Sequence, residues 1–258
     1  MGVKKLPAPL VPLWILIVLI GVAVVVIRFR VDKPDGGIKE KETYSWKDDE
    51  NMLVSWASYD KKGNLQELEI YDEEDPDAEE ALEKYRYSYK YDKDDRITEI
   101  SCEADCKDAD VSLEAEYDDK DGVLTGYTLI YEEDGKETRR VDYDGHMNQI
   151  RDRRFSNGMT AYMEDRCYDS VGRMIRQEVF TVNPVNGTLI LNALLEFRYE
   201  TEGMATSVYV KDYFAEDDEE FLGKYLETDD RGRLVVDESY DAEDDEKVTS
   251  YSEYKYYK

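Results

Sequence analysis

Residues 85 to 92 read YRYSYKYD, with a tyrosine at every second position. Successive side chains of a β-strand point to opposite faces. Tyr85, Tyr87, Tyr89 and Tyr91 therefore share one face, and Arg86, Ser88 and Lys90 take the other. Tyrosine favours strands, and its ring covers a sheet face while its hydroxyl reaches water, so the rings are first of all a packing surface. The alternation returns at the end of the chain, where Tyr254 and Tyr256 flank Lys255.

The residues after the rings set the topology. Tyr-Asp occurs seven times, at Tyr59, Tyr71, Tyr91, Tyr117, Tyr143, Tyr168 and Tyr240. Several of these pairs open one kind of turn. In YDKKGNL from Tyr59, YDSVGRM from Tyr168 and TDDRGRL from Thr228, an aspartate (Asp60, Asp169, Asp229) is placed to bond the backbone two residues on. Three positions later Gly63, Gly172 or Gly232 supplies the positive φ that closes a type I turn with a bulge. YDDKDGVL from Tyr117 fits with one residue inserted before Gly122. In YDKDDRI, Tyr91 and Asp92 are followed by Asp95 where glycine is expected, a replacement that the left-handed region tolerates at some cost.

Further hairpin signals sit at Gly135, Asn157-Gly158 and Asn186-Gly187. Several turn glycines lie 13 to 16 residues apart, as from Gly122 to Gly135 and from Gly187 to Gly203, which is one strand plus one turn. The expected fold is all-β, a long antiparallel meander of on the order of 13 to 15 strands. An open twisted sheet of that length curls or rolls. DPDAEEALEK, from Asp75, reads as the one helical interruption, with Asp77 as its cap and glutamates in its first turn.

The chain of 258 residues carries 62 acidic against 34 basic side chains, a formal net charge of −28. Such a field repels phosphate backbones and sets nucleic-acid binding aside. The 12% of aromatic residues argues for a folded domain, because disordered acidic chains are poor in aromatics. From Leu6 to Ile27 there is no charge, and the stretch is long enough as a helix to match a hydrocarbon core of about 30 Å. No small-residue cleavage site comes after it, which favours an uncleaved anchor over a signal peptide. The expected organisation is a transmembrane anchor over residues 1–30, a linker over 31–42 and a β domain over 43–258. Lys4 and Lys5 on one flank nearly balance Arg28, Arg30 and Lys33 on the other; the preferred orientation puts the N-terminus inside and the domain outside.

The unit Y-x-Y-D-x-x-G-R-L resembles the YD-repeat, or Rhs-repeat, family. The best matches are YKYDKDDRI from Tyr89, CYDSVGRMI from Cys167 and ETDDRGRLV from Glu227. The resemblance implies a surface or secreted β-repeat module of bacterial, extracytoplasmic type, with a sheet that spirals or rolls. The array is too short to enclose a cargo domain, so only the strand and turn grammar carries over.

Reaction chemistry is sparse. His146, the one histidine, sits in a turn with no Cys or second His beside it, which suits a surface residue better than a metal ligand. No nucleophile elbow, phosphate loop or H-E-x-x-H is present. In YDDKDGVL, Asp119 and Asp121 resemble part of a calcium loop, but Tyr117 and Thr128 fall where ligands are needed. Cys102 and Cys106 form a disulfide only if Glu103 to Asp105 turn; in one extended strand they stand about 13 Å apart. Cys167 reads as a small buried hydrophobe. No catalytic residue, metal or cofactor is expected. The function expected is a membrane-anchored surface module, structural or binding, offering exposed aromatic and charged faces to a glycan, wall polymer or protein. The alternatives are a hydrolase using two carboxylates in a cleft, and an accessory or immunity-type partner on the inner face.

Overall fold

A computed structural model describes residues 37–257 except 48–49, 73–79, 107–108, 184–185, 216–219 and 242–246. The apolar N-terminal stretch, residues 31–36 of the linker and residues 75–79 of the predicted helix lie outside the described residues. Sixteen strands make up the domain. The first five are β1 (Ile38–Lys47), β2 (Glu50–Tyr59), β3 (Leu65–Ile70), β4 (Glu83–Tyr91) and β5 (Ile97–Cys106). Next come β6 (Asp110–Tyr117), β7 (Leu124–Glu133), β8 (Lys136–Asp144), β9 (Gln149–Ser156) and β10 (Met159–Tyr168). The last six are β11 (Met174–Val182), β12 (Leu189–Glu202), β13 (Ala205–Asp212), β14 (Glu220–Thr228), β15 (Leu234–Tyr240) and β16 (Val248–Tyr256). Two boundaries differ from the sequence reading. Strand β1 starts at Ile38, inside the expected linker: Ile38 pairs with Tyr256 and Glu40 with Lys255 across a bulge at Lys39, so Lys41 is buried while Lys39, two positions before it, is exposed. Glu83 and Lys84, assigned to the helix from sequence, open β4.

All sixteen strands belong to one antiparallel sheet, but its ends are not those of a linear meander. The order is β5-β4-β3-β2-β1-β16-β15 and so on down to β6. The first and last strands zip together, with Tyr44 stacked on Tyr251 at 5.1 Å and Lys255 bridging Glu40 and Glu42. The break falls instead between β5 and β6, which are consecutive in sequence. There, among the described residues, the single bridge Cys106–Ala109 joins the two backbones. Farther along this seam the amide of Ile100 donates to the Tyr117 hydroxyl at 3.3 Å, and Arg96 pairs with Asp121 at 2.7 Å. The sheet thus comes round on itself as a nearly closed barrel.

The predicted turns appear atom by atom. Asp60 Oδ1 accepts from the amides of Lys62 and Asn64, and Gly63, at φ 84°, donates back to the Asp60 carbonyl. Asp92, Asp169 and Asp229 do the same, with Asp95 at φ 62° in glycine's place and Gly172 and Gly232 at 84° and 73°. Asp144 makes a further copy around His146, closed by Met147 at φ 64°. Asp118 makes the longer version that ends at Gly122. The arginine after the turn residue has a role too: Arg96, Arg173 and Arg233 each donate Nε to the second oxygen of the same aspartate at 2.7–2.8 Å. The ladder slips by one residue at Tyr59, Tyr91, Tyr117, Tyr143, Tyr168 and Thr228, as a bulge requires. In an up-and-down sheet every even-to-odd connection lies at the same end, so these turns form one rim.

Gly172→Ala forces an L-residue into the left-handed region and is expected to cost about 1 kcal/mol. Urea denaturation reads this as a lower midpoint with unchanged slope. An unchanged midpoint would show that the glycine is not needed there.

The tyrosine stripe faces inward. Tyr85 and Tyr87 are buried, and Tyr89 and Tyr91 are half-buried beside them. Once the sheet closes, this ring-bearing face becomes the inside, and the rings pack there. Cys102 and Cys106 point into the same interior as free thiols four residues apart on β5, which rules out the turn a disulfide needs. Cys167 is exposed, not buried, because its register with Arg176 turns it outward.

Candidate binding cavity

The interior alternates apolar and charged sectors. One apolar cluster joins Tyr85, Tyr87, Ile97 and Ile100 of β4 and β5 to Leu124, Tyr127, Leu129, Tyr131 and Val141 of β7 and β8. It spans the seam, and the hydroxyls of Tyr85 and Tyr131 meet at 3.0 Å. A second cluster gathers Met174, Leu195, Phe197, Val208 and Val210 from β11 to β13. Between these lie two buried ionic groups that no local pattern announces. Asp152 accepts from Arg139 at 2.8 Å, and Glu164, its partner across the ladder, accepts from Arg166. On the other side Asp237 sits between Lys224, at 2.5 Å, and Lys41, at 3.6 Å, and also accepts from the Tyr254 hydroxyl. Both are consistent with the rule that buried charges are paired.

A cavity of about 150 Å³ lies among these sectors. Its walls come from β3, β4 and β7 to β15, and include Leu68, Leu129, Met174, Phe197 and the tyrosines Tyr127 and Tyr143. A cavity of this size with apolar walls holds one benzene-sized ring. The charges on its wall are already answered inside the protein: Arg139 by Asp152, and Lys224 by Asp237. Glu83 accepts from the Tyr85 hydroxyl at 2.5 Å.

Two pairs of wall tyrosines differ in how their hydroxyls are held. The hydroxyls of Tyr168 and Tyr199 donate to backbone carbonyls of Gln149 and Met174, both at 2.8 Å. Tyr127 and Tyr143 stand opposite each other on β7 and β8, their rings stacked 4.5 Å apart and 5° from parallel. Neither hydroxyl has a hydrogen-bond partner among the described residues. Burial pushes the pKa of both phenols well above the usual tyrosine range, so both stay neutral donors.

Of the residues singled out in the sequence, Tyr168 alone among the repeat-turn positions reaches the cavity wall. Tyr59, Asp60, Gly63, Tyr91, Asp92, Tyr117, Gly122, Asp169, Gly172, Asp229 and Gly232 build the rim and the ladder ends. Sequence reasoning missed Arg139, Asp152, Glu164, Arg166 and Asp237; strands such as KETRRVDYD and QIRDRRFS carry charge on both faces, so local alternation does not single these residues out. Asp152 and Glu164 do stand opposite each other, but arginine holds each one. His146 is exposed, and among the described residues no group of His, Cys, Asp or Glu is placed to hold a metal.

No protein-family model matches the chain, and no curated protein matches it. Solved structures give distant likenesses. A DUF3836 family protein from Parabacteroides distasonis is 8% identical, with a TM-score of 0.21 over 41% of this chain and 75% of its own. One from Bacteroides vulgatus is 14% identical, with a TM-score of 0.20 over 43% and 89%. A porin-like protein from Bacteroides uniformis is 10% identical, with a TM-score of 0.31 over 85% of this chain and 96% of its own. Likeness at this level decides neither fold nor activity.

Proposed function

We propose that this protein is a single-pass, membrane-anchored β module standing outside the cytoplasm, which binds a small ligand in its interior and catalyses no reaction. The observation that carries the binding role is the cavity lined from eleven strands, with ring-sized volume and two polar handles left unmatched. The uncharged stretch from Leu6 to Ile27 supports the anchor, and the YD-repeat resemblance supports the location. The chain enters β1 at the rim of the aspartate turns, where Gly37 accepts from the amide of Tyr257. A tether would thus join the barrel at that rim.

Location is tested by protease treatment of intact cells carrying the full chain. The β domain is expected to be digested together with a surface control. A domain that survives while the control is lost belongs on the inner face, which overturns the extracytoplasmic part of the proposal.

A second reading has one observation in its favour. On the outer face Trp56 and Tyr71 border a shallow depression with Glu67, Glu69 and Lys84. Aromatic rings beside carboxylates suit a glycan, and this patch keeps surface binding as the alternative.

A further inference from the structure

Tyr127 is 5% exposed, and it and Tyr143 both line the cavity, with no hydrogen bond to either hydroxyl among the described residues. Among the described residues the fully buried side-chain atoms without a partner are on Arg153, Arg154, Arg166 and Gln177, so these two hydroxyls touch open space, where a ligand oxygen can take up a bond that the protein does not supply. The geometry says what would supply it. Near-parallel rings 4.5 Å apart, on directly opposed residues, set their hydroxyls at a similar spacing. One oxygen atom placed between them lies about 2.7–2.8 Å from each, the normal length of an O–H···O bond, at an open angle that suits both. Leu129 and Phe197 furnish apolar wall for the rest of such a molecule. Because Arg139 and Lys224 already have internal counter-ions, an additional charge inside would find no unanswered partner on the wall.

Building on the proposed binding role, we infer that the cavity selects a neutral, single-ring molecule bearing one hydroxyl or carbonyl oxygen, which Tyr127 and Tyr143 grip jointly. The phenol class is the simplest member. The ring fills apolar volume, and the oxygen completes the pair of hydrogen bonds. An apolar ring without oxygen fits the space but leaves both hydroxyls unpaired.

The test is calorimetric titration of the full chain in nanodiscs, with empty nanodiscs subtracted, against benzene, phenol and benzoate. Phenol is expected to bind about tenfold more tightly than benzene, with benzoate weakest. The double variant Tyr127→Phe with Tyr143→Phe, which removes no protein hydrogen bond, is expected to bind phenol and benzene alike. Equal affinity of wild type for benzene and phenol would overturn the inference while leaving the binding cavity standing, as would benzoate binding best. Failure of all three at millimolar concentration would remove the binding role itself. A preference for phenol that survives in the double variant would show that the oxygen is held elsewhere.

Discussion

Asp237→Asn is expected to destabilise the domain by about 3–5 kcal/mol, because it strips the counter-ion from two buried lysines at once. Lys41 and Asp237 are 6% and 4% exposed, and Lys224 lies beside them at 2.5 Å from the carboxylate. With asparagine in that position neither ammonium can recover its hydration without opening the barrel. Urea denaturation measures the effect, and a loss below about 1 kcal/mol would mean that water already reaches the group. The reverse change behaves differently. Lys41→Met removes a charge that is held only at 3.6 Å and fills similar volume, so it is expected to be neutral or stabilising.

The pH dependence arises from the same cluster. Burial raises the Asp237 pKa, but Lys224 and Lys41 outweigh it and the net shift is downward. A carboxylate whose folded pKa lies below its unfolded value stabilises fully above the ordinary carboxylate range. That contribution is lost as pH falls from about 4 toward the folded value. Acid unfolding is therefore expected to be steeper in wild type than in Asp237→Asn. Burial lowers the pKa of Lys41 in spite of Asp237. The unfolded chain then holds that proton more tightly, so Lys41 contributes stability that rises with pH between its folded and unfolded values. Lys41→Met lacks that rise.

Leu129→Ala is expected to cost about 2–5 kcal/mol and to enlarge the cavity. Leu129 is 1% exposed, belongs to the cluster that spans the β5–β6 seam and lines the cavity. Truncation removes apolar burial and leaves a void, since strands bonded on both sides relax little toward it. The thermal midpoint should fall, and a two-ring phenol such as naphthol should bind the variant better than wild type. A loss under about 1 kcal/mol would indicate that β7 collapses into the space.

Much of this molecule is written locally. The turns were legible because an aspartate, a residue that adopts positive φ, and the bond between them lie within five positions, so sequence spacing is also spatial spacing. Copies that break the spelling were harder to read: Met147 takes the left-handed position in the Asp144 turn, where no glycine marks it. Alternation showed that four tyrosines of β4 share a face. It could not show that this packing face would become the inside of a nearly closed barrel.

Closure belongs to the tertiary structure. Each hairpin is a two-strand event, whereas the pairing of β1 with β16 joins Thr43 to Ser252 across nearly the whole chain, and no short window contains both. That pairing moves the free edges to β5 and β6, converts one face of the sheet into an inside, and brings Lys41, Lys224 and Asp237 together from three separate strands. The cavity is a product of the same event. Side-chain alternation is a property of neighbouring residues, but an enclosed volume exists only once the curvature accumulated over sixteen strands has brought distant walls face to face.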